Sequence, residues 1–388
     1  MAILDTTLRE GEQRFGVYFR SEVRVRLALF LHDIGVEELE IGVVRMDKEL
    51  YSLWRTLKKK GLGDKLSLWC KLHPKDISLA QTFSGIRLNL SVPVSPLHLK
   101  YKLRISQKEL LARINTLVPE ARRHFSFVSL GLEDASRTPK RFLFQVIRTA
   151  IKAGVRRIRL SDTLSFWNPL QVAELVKEFK NNFPDTELGL HLHNDLGMAT
   201  GNAVAALESG ADWVDTTLLG LGERAGITPL EELIAYLVFR RGEKRYQIKI
   251  LPLAAHFVSW HAGETLSAFK PVLGRSLFFC ESGLHVDGIY KNRKLYEPFP
   301  PEVLGLSHQL ALGVKSGQGA VKAKLKELGI TVSEEDLPLL LQRIRELAAH
   351  YSRPLSDAEV KRLCEEFTTQ NRRDSKPQIN TKLTYVES

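Results

Sequence analysis

The sequence predicts a (β/α)₈ barrel, or TIM barrel, followed by a helical C-terminal extension. Eight short runs rich in leucine and β-branched residues alternate with helical patterns. Their spacing of roughly 30 residues is that of parallel βα units. A doubly wound open sheet is the alternative. A closed barrel is favoured because polar residues that could bind a ligand or take part in catalysis follow several different strands. Barrel active sites are built at the carboxyl ends of the strands.

The predicted strands are the apolar or β-branched runs at residues 2–5, 36–42, 66–72, 86–90, 125–132, 155–160, 187–193 and 212–218. Helix starts are predicted from small polar cap residues, three of which precede a proline that suits the first helical position. These caps are Ser21, Thr138, Asn168 and Thr228. Gly154 and Gly210 stand where helices are expected to end.

A second region is predicted after the barrel, with residues 1–270 forming the catalytic domain and residues 271–388 a helical C-terminal part. Residues 247–270 have a helix-rich pattern, and residues 281–288 are predicted to form a glycine-flanked loop. Helical patterns follow at 319–328, 337–351 and 357–367. About the last twenty residues are polar and are expected to fray.

Composition limits the classes of partner. The net charge is +11, but the basic residues are spread along the chain and no nucleic-acid motif accompanies them. We interpret them as a solvated surface whose field also favours small anionic substrates. No apolar run is long enough to span a membrane. We therefore expect neither a nucleic acid nor a membrane as partner.

The cysteines and the N-terminus indicate a cytoplasmic protein. Cys70, Cys280 and Cys364 are far apart and form no CxxC pair, so the sequence indicates neither a disulfide framework nor a thiolate zinc site. The first residues include acid and arginine where a signal peptide would need an apolar run.

Two histidines in the seventh predicted strand are candidate metal ligands. His191 and His193 are two residues apart, so a strand points both side chains to the same face. Asn194 and Asp195 could fix the orientation of the rings. The alternative is that each histidine is satisfied by an ordinary neighbour.

The end of the first strand supplies the third candidate ligand. Glu10 with the two histidines gives one carboxylate and two imidazoles, a set that leaves coordination positions open for substrate. Arg9 would then place a fixed cation beside the same substrate. A surface ion pair is the alternative.

Five motifs in order resemble the DRE-TIM metallolyase family of Claisen-type acyl transferases, which includes isopropylmalate and homocitrate synthases. They are DTTLREGEQ at 5–13, SDT at 161–163, HLHND at 191–195, GLGERAGITPL at 220–230, and SGLHVDG at 282–288 followed by YEPF at 296–299. Within the family the chain is most similar to homocitrate synthases, with mixed features of the lysine-pathway and nitrogen-fixation types.

The resemblance implies condensation of acetyl-CoA with 2-oxoglutarate to give homocitrate and CoA. A divalent ion, which could be zinc, manganese, magnesium or iron, would be held by Glu10, His191 and His193 and would polarise the substrate carbonyl. Arg9 would stabilise the oxyanion, and Thr163 and Gln13 would bind and orient the substrate.

The resemblance also assigns the proton abstraction from acetyl-CoA. His285 would be the base, supported by Glu133 and Tyr296, although a histidine in such a loop also serves structural roles. His73 resembles a histidine placed near the distal substrate carboxylate, and a surface histidine is the alternative. Ser129 stands where lysine-type enzymes carry an arginine.

Further departures concern the strand ends and the C-terminal region. Leu219 replaces the asparagine of isopropylmalate synthases, residues 279–283 replace THESG, and residues 313–317 replace GKHSG. Relatives are dimers, so we expect a homodimer. The chain ends near the point where a leucine-type regulatory domain would begin, so we do not expect feedback control of that kind.

Two kinds of rival function remain. The first is an isopropylmalate, citramalate or Re-type citrate synthase, which differs only in the 2-oxo acid. The second is an inactive barrel that acts as a binding protein through its basic surface.

Overall fold

Eight parallel strands close into a barrel in the computed structural model of the chain, which describes residues 1–45 and 47–374. The strands are β1 Ala2–Asp5, β2 Glu38–Val43, β3 Leu66–Lys71, β4 Arg87–Pro93, β5 Val128–Glu133, β6 Arg157–Asp162, β7 Glu187–Leu192 and β8 Trp213–Thr216. They are ordered sequentially, and β1 pairs with β8. The predicted barrel is confirmed, and closure rules out the open sheet.

Helices follow the strands and continue past the last one. They are α1 Ser21–Ile34, α2 Lys48–Lys59, α3 Pro74–Ala80, α4 Gln107–His124, α5 Lys140–Lys152, α6 Pro169–Asn182, α7 Ala199–Glu208, α8 Leu230–Phe239 and α9 Leu251–Ala262. Short 3-10 turns occur at Gly11–Gln13, Gly63–Lys65, Ala135–Arg137, Leu218–Gly220 and Ile248–Ile250, and a π-helical turn at His98–Leu103. No helix in the described part of the chain has the length and apolar character needed to cross a membrane.

The barrel helices are amphipathic, as α2 illustrates. Its buried residues Leu50, Leu53, Trp54 and Leu57 recur at helical spacing and form one stripe. The strands are buried on both faces, as expected where helices cover a parallel sheet. Because all eight strands run parallel, the chain segments that follow them lie at one end of the barrel.

Only one of the four predicted caps forms as expected. Asn168 accepts a hydrogen bond from Gln171 N and completes a capping box. Ser21 is instead the first residue of α1. Pro139 and Pro229 are themselves the extended residues before α5 and α8, which moves Thr138 and Thr228 one position too early to cap. Gly154 and Gly210 follow helix ends with positive φ, as predicted.

Charged side chains occupy part of the barrel interior. Arg157 is completely buried; its Nη1 lies 3.0 Å from Glu38 Oε2, and its Nε lies 3.0 Å from Glu187 Oε2. Its guanidinium carbon lies 3.7 Å from the centre of the Trp213 ring. Pairing and stacking together offset the cost of removing the guanidinium from water.

The C-terminal helices form a separate compact unit, because the chain divides into Met1–Gly274 and Arg275–Ser388. The second unit contains α10 Gly283–Lys291, α11 Gln318–Glu327, α12 Leu337–Tyr351 and α13 Asp357–Asp374, the parallel pair β9 Phe279–Cys280 and β10 Gln309–Leu310, and 3-10 turns at Arg293–Leu295 and Pro301–Leu304. Its core includes Val286, Val321 and Ile344. The predicted polar tail beyond residue 374 lies outside the described residues.

The predicted loop at 281–288 is wrong, since α10 begins at Gly283. Its glycines serve close packing. A Cβ atom on Gly288 would come within 2.2 Å of Tyr296 Cε2, and a Cβ on Gly283 within 2.9 Å of Gly317 N. Glycine is therefore required by the neighbours of the helix, and it does not mark a turn here.

We predict that Arg157→Ala lowers the free energy of unfolding by about 3 kcal/mol, because the substitution leaves buried Glu38 with one cation fewer. Arg241 pairs with Glu208 at 3.1 Å on the exposed surface and provides the control. Arg241→Ala should cost less than about 1 kcal/mol. Urea denaturation followed by circular dichroism measures both, and equal losses would contradict the interpretation.

Candidate active site

Three buried side chains converge at the carboxyl end of the barrel. Glu10, His191 and His193 each offer a ligand atom, and these atoms all lie within 4.8 Å of one another. His191 is the penultimate residue of β7, and His193 directly follows that strand. The two rings are 5.1 Å apart between centres, so the predicted same-face arrangement forms. The donor set suits a divalent metal ion.

The glycine-rich loop 220–226 positions Glu10. Glu223 N donates to Glu10 Oε1 at 3.2 Å, and a Cβ on Gly222 would come within 3.2 Å of Glu10 Cγ. Gly226 has a φ of +79°, and a Cβ there would overlap the carbonyl of Gly220. The GLGERAG sequence thus allows the loop backbone to approach the carboxylate closely.

His191 is oriented by a carboxylate from the neighbouring strand. Its Nδ1 lies 3.0 Å from Asp215 Oδ2, and Asp215 also pairs with Arg159. Burial opposes ionisation of Asp215, but Arg159 and His191 hold its pKa below the usual range. The sequence had suggested Asn194 and Asp195 for this task. Asn194 instead accepts from Ala199 N.

His193 is held in its neutral form. Burial, followed by the influence of His191, lowers its pKa to about 3. Arg224 Nη2 lies 3.2 Å from His193 Nδ1, and Arg224 is fixed in turn by Asp195. Neutral imidazole is the form that binds metal ions, so this environment fits the predicted role.

Arg9 lies between two buried carboxylates. Its Nε donates to Glu40 Oε2 at 2.6 Å, and its Nη1 pairs with Glu10 Oε2. Burial disfavours ionisation of Glu10, but Arg9 and the two histidines keep its pKa below the usual value. Glu10 is therefore an anion beside the two imidazoles, as a metal ligand must be.

These groups line one cavity of about 240 Å³. Its walls come from all strands from β3 to β7 and from the segments after β1 and β8. They combine charged, hydroxyl and aromatic side chains. The lining residues are Arg9, Glu10, Gln13, Trp69, Ser91, Lys102, Gly131, Glu133, Arg159, Ser161, Thr163, His191, His193 and Glu223.

Glu133 lies close to two side chains of the π-helical turn. Lys102 Nζ lies 2.6 Å from Glu133 Oε1, and His98 Nδ1 lies 3.3 Å from the same oxygen. His98 and Lys102 are four residues apart, so both reach one carboxylate. Neither was predicted as a site residue.

Thr163 presents its hydroxyl to the cavity in a defined way. Asp134 N donates to Thr163 Oγ1 at 2.9 Å, so the hydroxyl oxygen acts as acceptor. The hydroxyl proton remains available to a ligand. Gln13 lines the same cavity from the end of the first 3-10 turn.

Three further predicted site residues belong to other parts of the chain. His73 precedes α3 with half its side chain exposed, and it is not among the described residues that line the cavity. His285 and Tyr296 belong to the second unit, where their rings are 4.5 Å apart. The geometry adds no support for a role of His73 in substrate binding.

The buried ion-pair partners that the sequence analysis missed have a recognisable pattern. Glu38 and Glu40 alternate in β2, as do Arg157 and Arg159 in β6. In strands buried on both faces, this period of two places opposite charges inside the barrel. Charge alternation in two otherwise apolar strands could therefore have indicated buried ion pairs.

Comparisons with known proteins agree with this architecture. A family model described as HMGL-like matches residues 1–258, and one described as homocitrate synthase post-HMGL domain-like matches residues 272–352. The barrel and the C-terminal unit thus match separate models in sequence.

Relatives match nearly the whole chain. A 2-isopropylmalate synthase of Caldanaerobacter subterraneus is 36% identical over 94% of this chain and 95% of its own length. Homocitrate synthase AksA of Methanocaldococcus jannaschii is 35% identical over 94% of this chain and 90% of its own length. Proteins named (R)-citramalate synthase also match.

A solved structure supports the fold. The HMG-CoA lyase of Bacillus subtilis has a TM-score of 0.58 and 19% identity, covering 68% of this chain and 94% of the lyase. At this identity the likeness shows the barrel architecture alone.

The fold and the cluster define a class of barrel with three candidate metal ligands and an arginine at the carboxyl ends of its strands. The chain belongs to the HMGL-like family, together with the homocitrate and isopropylmalate synthases that match its length. It is thus an enzyme of the acyl-CoA-condensing type, as the sequence predicted.

We predict that His193→Ala weakens divalent-metal binding by more than the roughly 10- to 100-fold that loss of an outer-shell partner costs, because it removes a ligand. His73→Ala is the matched control, since that histidine lies outside the cluster. Metal analysis after equilibration with manganese or zinc measures the difference. Equal metal content in the two variants would refute the site.

Proposed function

We propose that the enzyme condenses acetyl-CoA with 2-oxoglutarate to give homocitrate and CoA, with a divalent ion held by Glu10, His191 and His193. One observation carries this proposal: the three-ligand cluster and Arg9 open into the same cavity at the active end of the barrel. A 2-oxo acid can chelate such an ion through its keto and carboxylate oxygens.

The composition of the cavity favours a dicarboxylic substrate. Beyond the cluster, its walls include the cations Lys102 and Arg159 and the hydroxyls of Ser91 and Ser161. Both cations are already ion-paired, but Arg159 Nε has no hydrogen-bond partner among the described residues. A distal carboxylate can accept from this group and from the two hydroxyls, whereas a branched apolar side chain can accept from none of them.

Isopropylmalate synthesis is the second candidate. A relative with that name is 36% identical to this chain. Trp69 lines the cavity and provides one apolar wall for a branched substrate. The two candidates share all chemical steps and differ only in the group attached to the keto acid.

In this proposal the barrel residues bind and polarise the keto acid. Lewis-acid polarisation of the keto carbonyl is the chemistry that a bound divalent ion supplies here. Arg9 stabilises the negative charge that develops on the carbonyl oxygen when the methyl carbon attacks. Thr163 donates its free hydroxyl proton to the substrate carboxylate, and Gln13 orients the reacting groups.

Attack requires removal of a proton from the acetyl methyl group. We assign this proton transfer to His285, with Glu133 and Tyr296 in support. Lys102 Nζ pairs with the Glu133 carboxylate, and His98 lies beside it. The new carbon–carbon bond forms at the keto carbon, the alkoxide is protonated, and water hydrolyses the thioester to release CoA.

We predict that 2-oxoglutarate gives the highest kcat/KM among 2-oxo acids. The rate of CoA thiol release is measured with 2-oxoglutarate, 2-oxoisovalerate, pyruvate and oxaloacetate at fixed acetyl-CoA. A higher value for 2-oxoisovalerate would select the second candidate. Absence of thiol release with every acid would favour the inactive barrel.

We further predict that His285→Asn lowers kcat by roughly 100- to 10,000-fold, the contribution typical of a general base. The variant should also lose exchange of the acetyl-CoA methyl protons with deuterated solvent, measured by mass spectrometry. His350→Asn is the control, because His350 is an exposed histidine of the same unit beside a tyrosine. Undiminished exchange in the His285 variant would assign the base elsewhere.

A further inference from the structure

A connected series of alternating acidic and basic side chains joins two residues of the Glu10, His191 and His193 cluster through the barrel interior. Each member contacts the next, and every side chain in it is at least nine-tenths buried. The members, in order of contact, are Glu10, Arg9, Glu40, Arg159, Asp215 and His191. The first and the last are candidate metal ligands.

At one end of the series, Asp215 determines which nitrogen of His191 faces the cluster. Asp215 Oδ2 lies 3.0 Å from His191 Nδ1, and a carboxylate can only accept a hydrogen bond there. The proton of the imidazole must then be on Nδ1. The lone pair is left on Nε2, which lies 3.9 Å from Glu10 Oε2 within the cluster.

At the other end, Glu40 determines the position of Arg9. Its Oε2 accepts from Arg9 Nε at 2.6 Å, and its Oε1 accepts from Arg159 Nη1 at 2.8 Å. Asn89 Nδ2 donates to the same Oε1 at 2.9 Å and ties the carboxylate to β4. Arg159 bridges the two ends, since its Nη2 pairs with Asp215.

A second ionic group in the same barrel shows what a purely structural role would be. Glu38 is completely buried and pairs with Arg157 at 3.0 Å and with Arg87 at 3.2 Å. Its recorded ion-pair and hydrogen-bond partners include no cluster residue. Glu38 therefore shares burial and pairing with Asp215 and Glu40 but contacts neither a ligand nor Arg9; its link to Glu40 runs through Asn89, whose Nδ2 also donates to Glu38 Oε1 at 3.2 Å.

We propose that Asp215, Arg159 and Glu40 are positioning residues that preset the metal ligands and Arg9 as one unit. Asp215 fixes the tautomer and ring orientation of His191, as carboxylates do for ligating histidines. Glu40 holds the arginine, and Arg159 links the two carboxylates. The inference rests on the metal site of the proposed function but not on the identity of the 2-oxo acid.

The test is Co²⁺ binding to the full chain without substrate, followed by the visible absorption of the bound ion. Asp215→Asn keeps the size of the side chain but allows the amide to donate to Nδ1. We expect its dissociation constant to rise about 10- to 100-fold and the spectrum to change. Glu38→Gln is the matched control and should stay near the wild-type constant.

The outcomes separate the inference from the proposed function. Tight wild-type binding with an unchanged Asp215→Asn constant, or equal weakening in Glu38→Gln, would overturn the positioning role and leave the metal site intact. Lack of Co²⁺ binding by the wild type would overturn both. If Asp215→Asn does not fold, Arg159→Lys takes its place, because lysine lacks the fork that bridges the two carboxylates. It should then weaken binding more than Glu38→Gln does.

A second measurement addresses the Arg9 end. Glu40→Gln at saturating metal should lower kcat by about 10- to 100-fold with a smaller change in KM, because Arg9 is freed while the ion remains bound. Asp215→Asn at saturating metal should recover more of its turnover. A Glu40→Gln enzyme with wild-type kcat would remove Glu40 from the unit.

Discussion

Pairing of buried charges inside a closed barrel is the constraint on which this structure depends. The interior of such a barrel is usually filled by branched apolar side chains, and an unpaired ion there costs several kcal/mol. Here β2, β6 and β8 contribute charged residues to the interior. Each of these residues can stay ionised only if a partner from another strand reaches it. Strand register and the geometry of the active end are consequently set by the same contacts.

Much of the fold could be predicted because it depends on local patterns. The apolar runs, and the glycine, proline and cap residues between them, located all eight strands to within a few residues. The details that failed depend on neighbours distant in sequence. Gly288 resembles a turn residue until the ring of Tyr296 is placed against it. Thr138 resembles a helix cap, but its hydroxyl donates to Asp134 O at 2.9 Å once Pro139 takes the cap position.

The site divides in a similar way. The two histidines could be paired from strand geometry alone, and Glu10 could be added because parallel strands end at the same edge. Asp215 and Arg159 could not be assigned to His191, because they are 56 residues apart from each other in sequence and no local pattern links them. The barrel register, which pairs Arg159 with Gly189 of β7 and Gly189 with Trp213 of β8, brings Arg159 and Asp215 together. Sequence pattern therefore located the candidate ligands, and tertiary structure was needed to find the groups that contact them.

The net charge of the six connected side chains from Glu10 to His191 links metal binding with substrate binding under the proposed function. Glu10, Glu40 and Asp215 are carboxylates, Arg9 and Arg159 are guanidiniums, and the set carries one excess negative charge when His191 is neutral. By itself that excess gives a dianionic 2-oxo acid no net attraction. A divalent ion reverses the sign to one excess positive charge at the place where the keto acid must chelate. In a buried site such a reversal is weakly screened. The alternation of acids and bases thus holds Arg9 in place without adding a net positive charge, and under the proposed function the charge of the ion favours an order in which the ion binds before the substrate.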